Sequence, residues 1–209
     1  EKWREVRLPH VIVNMAKNRR EAVDQMRSFV PHVIVTHPCR PDDNFALYEL
    51  LGGIFDRQAE AARLANDLRS ALDALRSQRW PTRRVLYAIW QDPWMTVSRA
   101  TYISQMLALV NWTTGPDDAL EACVDGDCSR PNAQGERYPS FRWSDALVRE
   151  LDAVLLSTEP YRFTEDHADA LERQIGKPVL LVDGEMLSWY GSRAVAGVRY
   201  LRELASHGM

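Results

Sequence analysis

Residues 181–193 read LVDGEMLSWYGSR, and residues 89–99 read IWQDPWMTVSR. Each stretch follows an apolar run and carries large rings beside a charge or a rigid proline. Indole and phenol rings offer flat apolar faces with one polar handle each, the chemistry of ligand clefts and interfaces. Trp90 and Trp94 flank Asp92-Pro93, while Trp189 and Tyr190 precede Gly191 and Arg193. The spacing is compatible with ligand contact, and equally with Trp90 and Trp94 packing beneath their own turn. Arg193 would open a helix, where a cation faces the positive end of the dipole; that placement favours a ligand over a simple ion pair. RYPSFRW (137–143) adds Tyr138, which either reaches the same cleft or packs locally with Phe141, and STEPYRF (157–163) sets Glu159 before a rigid proline, as a partner contact or a plain solvated carboxylate.

Other chemistry has weaker support. The five histidines are scattered, with no H-E-x-x-H or Cys/His ligand spacing. DGDCSRPNAQGE, from Asp125 to Glu136, starts like a calcium loop, but Arg130 and Pro131 stand where glycine and the backbone ligand belong. No G-x-S-x-G elbow and no G-x-x-x-x-G-K loop occurs. Asp183 with Glu185 could form an acid–base pair, but no nucleophile stands beside them. Catalysis is not expected.

The elements that must position these residues are α/β. PHVIVNM (9–15), then NRREAVDQMRSF (18–29) with Asn18 as N-cap, then PHVIVTHP (31–38) make a strand–helix–strand unit of a parallel sheet. DDNFALYELLGGIF (42–55) predicts a helix broken by Gly52-Gly53. From Phe55 to Arg79 there is no glycine or proline, and an alanine–leucine stripe predicts one long helix spanning roughly 37 Å. After Trp80-Pro81, strands are expected at 83–90, 152–158 and 178–184. Helices are expected at 101–110, 144–151, 165–175 and 192–207. The expected architecture is two Rossmann-like lobes with parallel sheets bridged by one long α-helix. Residues 1–54 form the remainder of an N-terminal lobe, 55–79 the bridging helix and 80–209 the C-terminal lobe. The first lobe, with two strands, looks N-terminally incomplete.

Composition bounds the partners. The net charge of −3, with 26 Lys and Arg set among 29 Asp and Glu, gives no reason to expect nucleic acid. Seven tryptophans exceed what a core of this size needs. No apolar run is long enough to span a bilayer, and no export signal is visible. Cys123 and Cys128, in CVDGDC, would either close a short disulfide or remain free thiols.

The strings IWQDPWMTVSRATYISQML, LLSTEPYRF and LVDGEMLSWYGSRA resemble the helical-backbone substrate-binding proteins of ABC importers, and within them the cobalamin-binding (vitamin B12) branch. PHVIVNMAKNRREAV resembles that family's first-lobe ligand loop, though relatives are more acidic at Met15-Ala16-Lys17. Such proteins begin with a further strand–helix portion upstream, so the chain is expected to be a fragment or a processed form.

The resemblance implies a periplasmic or extracytoplasmic protein, monomeric and non-enzymatic. It would capture a corrinoid between the lobes and deliver it to the transmembrane subunits of an importer. It implies cobalamin as transported ligand, with no catalytic cofactor and no resident metal. By the same resemblance Asn14 and Asn18 would meet the ligand from the first lobe; Trp90, Trp94, Tyr138, Trp189, Tyr190 and Arg193 would meet it from the second. Glu21 and Glu159 would dock arginines of the permease. A haem or ferric-siderophore receptor of the same fold is the alternative; a siderophore receptor would want further basic groups such as Arg99. An enzyme or regulatory module acting on a metallocofactor is the second, for which Asp92, Asp183 and Glu185 are the available titratable groups.

Overall fold

The computed structural model describes residues 8–14, 20–116 and 137–207. Asn18, Met15 to Lys17, Cys123 and Cys128 lie outside these residues, as does the rejected calcium-like loop.

Contacts divide the chain into two compact units, Glu1–Pro38 and Cys39–Met209. In the first, β1 (His10–Asn14) and β2 (His32–Thr36) run parallel, in the register His10 to His32 through Asn14 to Thr36. Both are β-branched runs that begin just after a proline, as the pattern predicts. α1 (Arg20–Arg27) connects them and buries Val23. Val13 and Thr36 are buried in the sheet, with the Thr36 hydroxyl donating to Val13 O at 3.2 Å.

The second unit is built on a four-stranded parallel sheet in the order β4-β3-β5-β6. Its strands are β3 (Arg83–Ala88), β4 (Trp112–Thr114), β5 (Ala153–Ser157) and β6 (Val179–Val182). Val85, Leu86, Tyr87 and Ala88 are all fully buried, so the continuous apolar run reflects a strand covered on both faces. Val85, Tyr87, Ala153, Leu155 and Val182 face one cluster; Leu86, Ala88, Val154 and Leu156 face the other.

Helices supply both covers. α2 (Asp43–Phe55), α3 (Gln58–Arg76), α4 (Tyr102–Ala108), α7 (Gly184–Ser188) and α8 (Arg193–His207) bury residues in the first cluster. α5 (Asp145–Glu150) and α6 (Glu165–Ile175) pack on the second. The caps are those the residue types favour. Thr101 accepts from Ser104 N, Ser144 from Leu147 N, and Asp183 from Glu185 N and Met186 N.

Three expectations differ from the structure. The helix expected over 55–79 runs over Gln58–Arg76, because Asp56 adopts φ 53° and breaks the chain after Phe55. Asp tolerates that left-handed region better than most side chains, so no glycine or proline announces the break. Leu68, Leu72 and Leu75 are buried to 1% exposure or less in the core of the second unit. Burial of that kind stabilises by about 1.5–3 kcal/mol per leucine. Gly52 and Gly53 do not break α2; a Cβ at Gly52 would lie 2.6 Å from Ala61 Cβ, so this glycine lets α2 and α3 approach. β4 and α7 were not expected, being three and five residues long.

Candidate functional site

In an open parallel sheet a ligand crevice forms at the strands' carboxyl ends, where neighbouring connections leave in opposite directions. Here the chain leaves β3 for α4, on the first-cluster face, and returns to β4 at one edge. It leaves β5 for α6, on the opposite face, and reaches β6 at the other edge. The point of divergence lies between β3 and β5, so segments 89–99 and 158–164 flank it.

These segments are more ordered than a sequence of turns suggests. Ile89 N donates to Met95 O and Met95 N to Trp90 O, folding 89–95 back on itself. Thr96 N then donates to Pro139 O, Ser98 N to Arg137 O, and Phe141 N to Trp94 O. The stretches 89–99 and 137–143, which read as separate loops, form one short antiparallel ladder. Trp90 and Tyr138 are carried on it, 40% and 36% exposed. Trp90 stands edge-on to Tyr161 at 5.4 Å between ring centres, and Tyr161 N donates to Ile89 O.

Trp94 is placed differently. It stacks on Phe163 at 5.8 Å and 10°, with Trp143 and Phe141 against it, in the second core cluster. Its faces serve internal packing, the alternative the proline-bearing turn left open. Tyr190 is also half-buried, edge-on to Tyr102 at 6.0 Å against the first cluster.

Beyond β6, Asp183 caps α7, and Trp189 follows that helix, 48% exposed. Its indole N–H donates to Glu159 Oε1 at 2.6 Å, and the Ser188 hydroxyl donates to the same oxygen at 3.0 Å. Glu159 is therefore half-buried and held in place, with Oε2 free of hydrogen-bond donors among the described residues. Arg193 opens α8 and pairs with Glu185 at 2.9 Å, its guanidinium 5.9 Å from the Trp189 ring centre. The nearby carboxylate offsets the unfavourable dipole position. That pair is nearly half exposed, so it contributes little stability.

Thr158, Glu159, Leu181, Val182, Asp183, Glu185, Met186 and Arg193 line an open depression of about 510 Å³. Three carboxylates against one guanidinium make it acidic, suited to a cationic partner group more than to a flat apolar guest. The exposed rings of Trp90, Tyr138 and Trp189 are not among its lining residues.

In the first unit, Asn14 ends β1 and its side-chain amide donates to Thr36 O at 3.3 Å. Glu21 is exposed in the first turn of α1. Arg99 and Asp92 are exposed in the 89–99 segment, Asp92 with φ 61°. Among the described residues no group of three or more His, Cys, Asp or Glu could hold a metal ion. Among the same residues no helix is long and apolar enough to cross a membrane.

Sequence reasoning missed Asn44 and Tyr48 on α2. Asn44 is fully buried and accepts from Gly191 N at 2.6 Å; the Tyr48 hydroxyl donates to Gly191 O at 2.7 Å. A lone Asn in an apolar helix was the available signal. Burial pushes the Tyr48 phenol up to about 12 and that of Tyr102 higher still.

Neither a family model nor a curated protein sequence matches the chain. Solved structures do. The periplasmic vitamin B12 binding protein BtuF of Vibrio cholerae aligns over 95% of this chain and 75% of its own, at 16% identity and TM-score 0.68. An ABC transporter substrate-binding protein from Listeria monocytogenes aligns over 98% and 79%, at 14% identity and TM-score 0.70. The periplasmic heme-binding protein RhuT from Roseiflexus aligns over 93% and 74%, at 18% identity and TM-score 0.65. At such identities the likeness is one of fold. The chain has the α/β, parallel-sheet fold shared by these periplasmic binding proteins.

Proposed function

We propose that the chain is an extracytoplasmic substrate-binding protein that captures a corrinoid and presents it to the transmembrane subunits of an ABC importer. The observation that carries this reading is the exposure of Trp90 and Trp189 at the carboxyl edge of one parallel sheet. Aromatic rings are enriched at binding surfaces, and these two stand where an open parallel sheet places its ligand crevice. A corrin is broad, flat and largely apolar with amide fringes, so it covers indole faces while Tyr138 and Arg193 supply hydrogen bonds to the fringe. The fold supports a transport role over catalysis, since the structural neighbours named above are binding proteins.

In the same reading Glu159 and Glu21 meet arginines of the permease. Ser188 and Trp189 fix one oxygen of Glu159, leaving the other to receive a cation. Exposed charge pairs of this kind set docking orientation and rate more than affinity.

Heme is the second reading, favoured by the exposed phenol of Tyr138, because a tyrosinate is an established axial ligand for haem iron. Calorimetric titration with cyanocobalamin and with hemin tests both. Under the corrinoid reading Trp90→Ala and Trp189→Ala each weaken cyanocobalamin binding by about 1–3 kcal/mol. A protein that binds hemin alone, with a Soret band altered in Tyr138→Phe, sinks the corrinoid reading in favour of heme.

A further inference from the structure

We infer that Asn44 and Tyr48, on α2, are positioning residues for the loop that presents Trp189. This rests on the binding reading above for the loop's purpose, but the clamp itself is a matter of geometry.

Residues 189–192 join α7 to α8, and Trp189, Tyr190 and Gly191 are each tied down. The Trp189 amide donates to Glu185 O, and the Tyr190 ring stands against Tyr102. Gly191 has φ 74°, a backbone region that disfavours any side chain, so glycine suits the turn made there. Both polar groups of this residue are taken by α2. Its N–H donates to Asn44 Oδ1 at 2.6 Å, and its carbonyl accepts from the Tyr48 hydroxyl at 2.7 Å. Asn44 is held at both ends of its amide, its nitrogen donating to Pro41 O at 2.8 Å and to Tyr102 OH at 3.2 Å. An amide so completely bonded has one available position, and it transmits that position to Gly191.

The neighbours of α2 explain why these residues are polar. Asn44 and Tyr48 are one turn apart, on the helix face that meets the 189–193 loop, and both are buried to 3% exposure or less. Leu47, beside them, is an ordinary core residue. An apolar residue at 44 or 48 would fill the space but strand the backbone groups of Gly191 without partners, which is costly. The pair therefore sets how far the Trp189 ring stands out from the sheet edge, without itself facing solvent.

The test uses the full chain. Tyr48→Phe removes one hydroxyl and keeps the ring; Asn44→Ala removes the acceptor for Gly191 N–H. Amide exchange at Gly191 should rise about fivefold in Asn44→Ala, the size of one ordinary hydrogen bond, and by a smaller factor in Tyr48→Phe, whose hydroxyl bonds the carbonyl of the same residue. Exchange in α6, which packs in the other core cluster, should not change. With 5-fluorotryptophan incorporated, the resonance of Trp189, assigned through Trp189→Phe, should move in Tyr48→Phe while that of Trp143 stays. A merely stabilising role would leave every native resonance in place. Cyanocobalamin affinity should also fall several-fold in Tyr48→Phe. Unchanged Gly191 exchange and an unmoved Trp189 resonance would overturn the inference; a displaced Trp189 with unaltered cyanocobalamin affinity would sustain the clamp and remove Trp189 from the proposed binding surface. If the unaltered protein binds neither cyanocobalamin nor hemin, the proposed function fails, and exchange and fluorine spectra still decide the clamp. Should Asn44→Ala not fold, Tyr48→Phe decides alone.

Discussion

Gly197→Ala separates two effects of opposite sign. Gly197 lies inside α8, where alanine is favoured over glycine by about 1 kcal/mol on helix propensity. Sequence alone therefore predicts stabilisation. In the structure Gly197 is where α8 crosses α7, and an added Cβ would overlap the carbonyl oxygen of Met186 and touch Met106 Cε at 3.4 Å. The Met186 carbonyl is backbone and cannot rotate aside, so α7 and α8 must separate by roughly 1 Å to reach ordinary contact. Overpacking of this kind costs about 1–3 kcal/mol, and forced backbone movement belongs at the upper end. The net expectation is a loss of about 1–2 kcal/mol. With an m-value of about 2 kcal/mol/M, the urea midpoint should fall by about 0.5–1 M at unchanged slope. A midpoint equal to or above that of the unaltered protein would refute the close approach, and with it the packing that places Trp189 at the end of α7.

Three other expectations can be checked in the same preparation. Asp183→Ala removes the acceptor for Glu185 N and Met186 N and should cost about 1 kcal/mol in chemical denaturation, whereas Asp183→Asn should cost less. Burial raises the phenols of Tyr48, Tyr87, Tyr102 and Tyr200, so folding favours their protonated form. That contribution is complete below the ordinary value of 10.0 and is lost as pH climbs toward about 12 for Tyr48. Unfolding free energy should hold steady up to pH 10 and fall above it, less steeply in Tyr48→Phe; an equal slope in that variant contradicts the assignment. Glu159→Gln should leave cyanocobalamin affinity within about threefold, yet slow association with permease-bearing membranes, most at low ionic strength.

Much of the fold was legible because its elements are long and strongly patterned. The β-branched runs at 10–14 and 32–36, the buried run at 83–88 and the Ser144 cap all stand where residue type predicts. What was hidden was short or tertiary. WTT at 112–114 becomes a strand only because β3 lies beside it, and three residues carry no periodicity of their own. Asp56 interrupts the helical stretch without a helix-breaking residue, and Gly52 looks like a breaker although it serves the crossing with Ala61.

Of the candidate site, only the exposure of some residues was legible. Trp90, Tyr138 and Trp189 are exposed where strand ends lead, but Trp94 has the same local context and packs inward. Only the position of Phe163, nearly seventy residues away, separates the two tryptophans. The bond from Trp189 to Glu159 likewise joins residues that the sequence offers as unrelated motifs. For Asn44 and Tyr48 the one local signal was an Asn in an apolar helix, which does not say that a glycine far along the chain needs both its backbone groups met.

The most direct measurement is an equilibrium titration of tryptophan fluorescence with cyanocobalamin. Coverage of Trp90 and Trp189 by a corrin predicts saturable quenching with sub-micromolar affinity, about −8 kcal/mol or better. It also predicts that the amplitude drops when either tryptophan is replaced by phenylalanine. No saturable change up to about ten micromolar ligand, after correction for absorbance, contradicts the claim that these rings form a corrinoid surface.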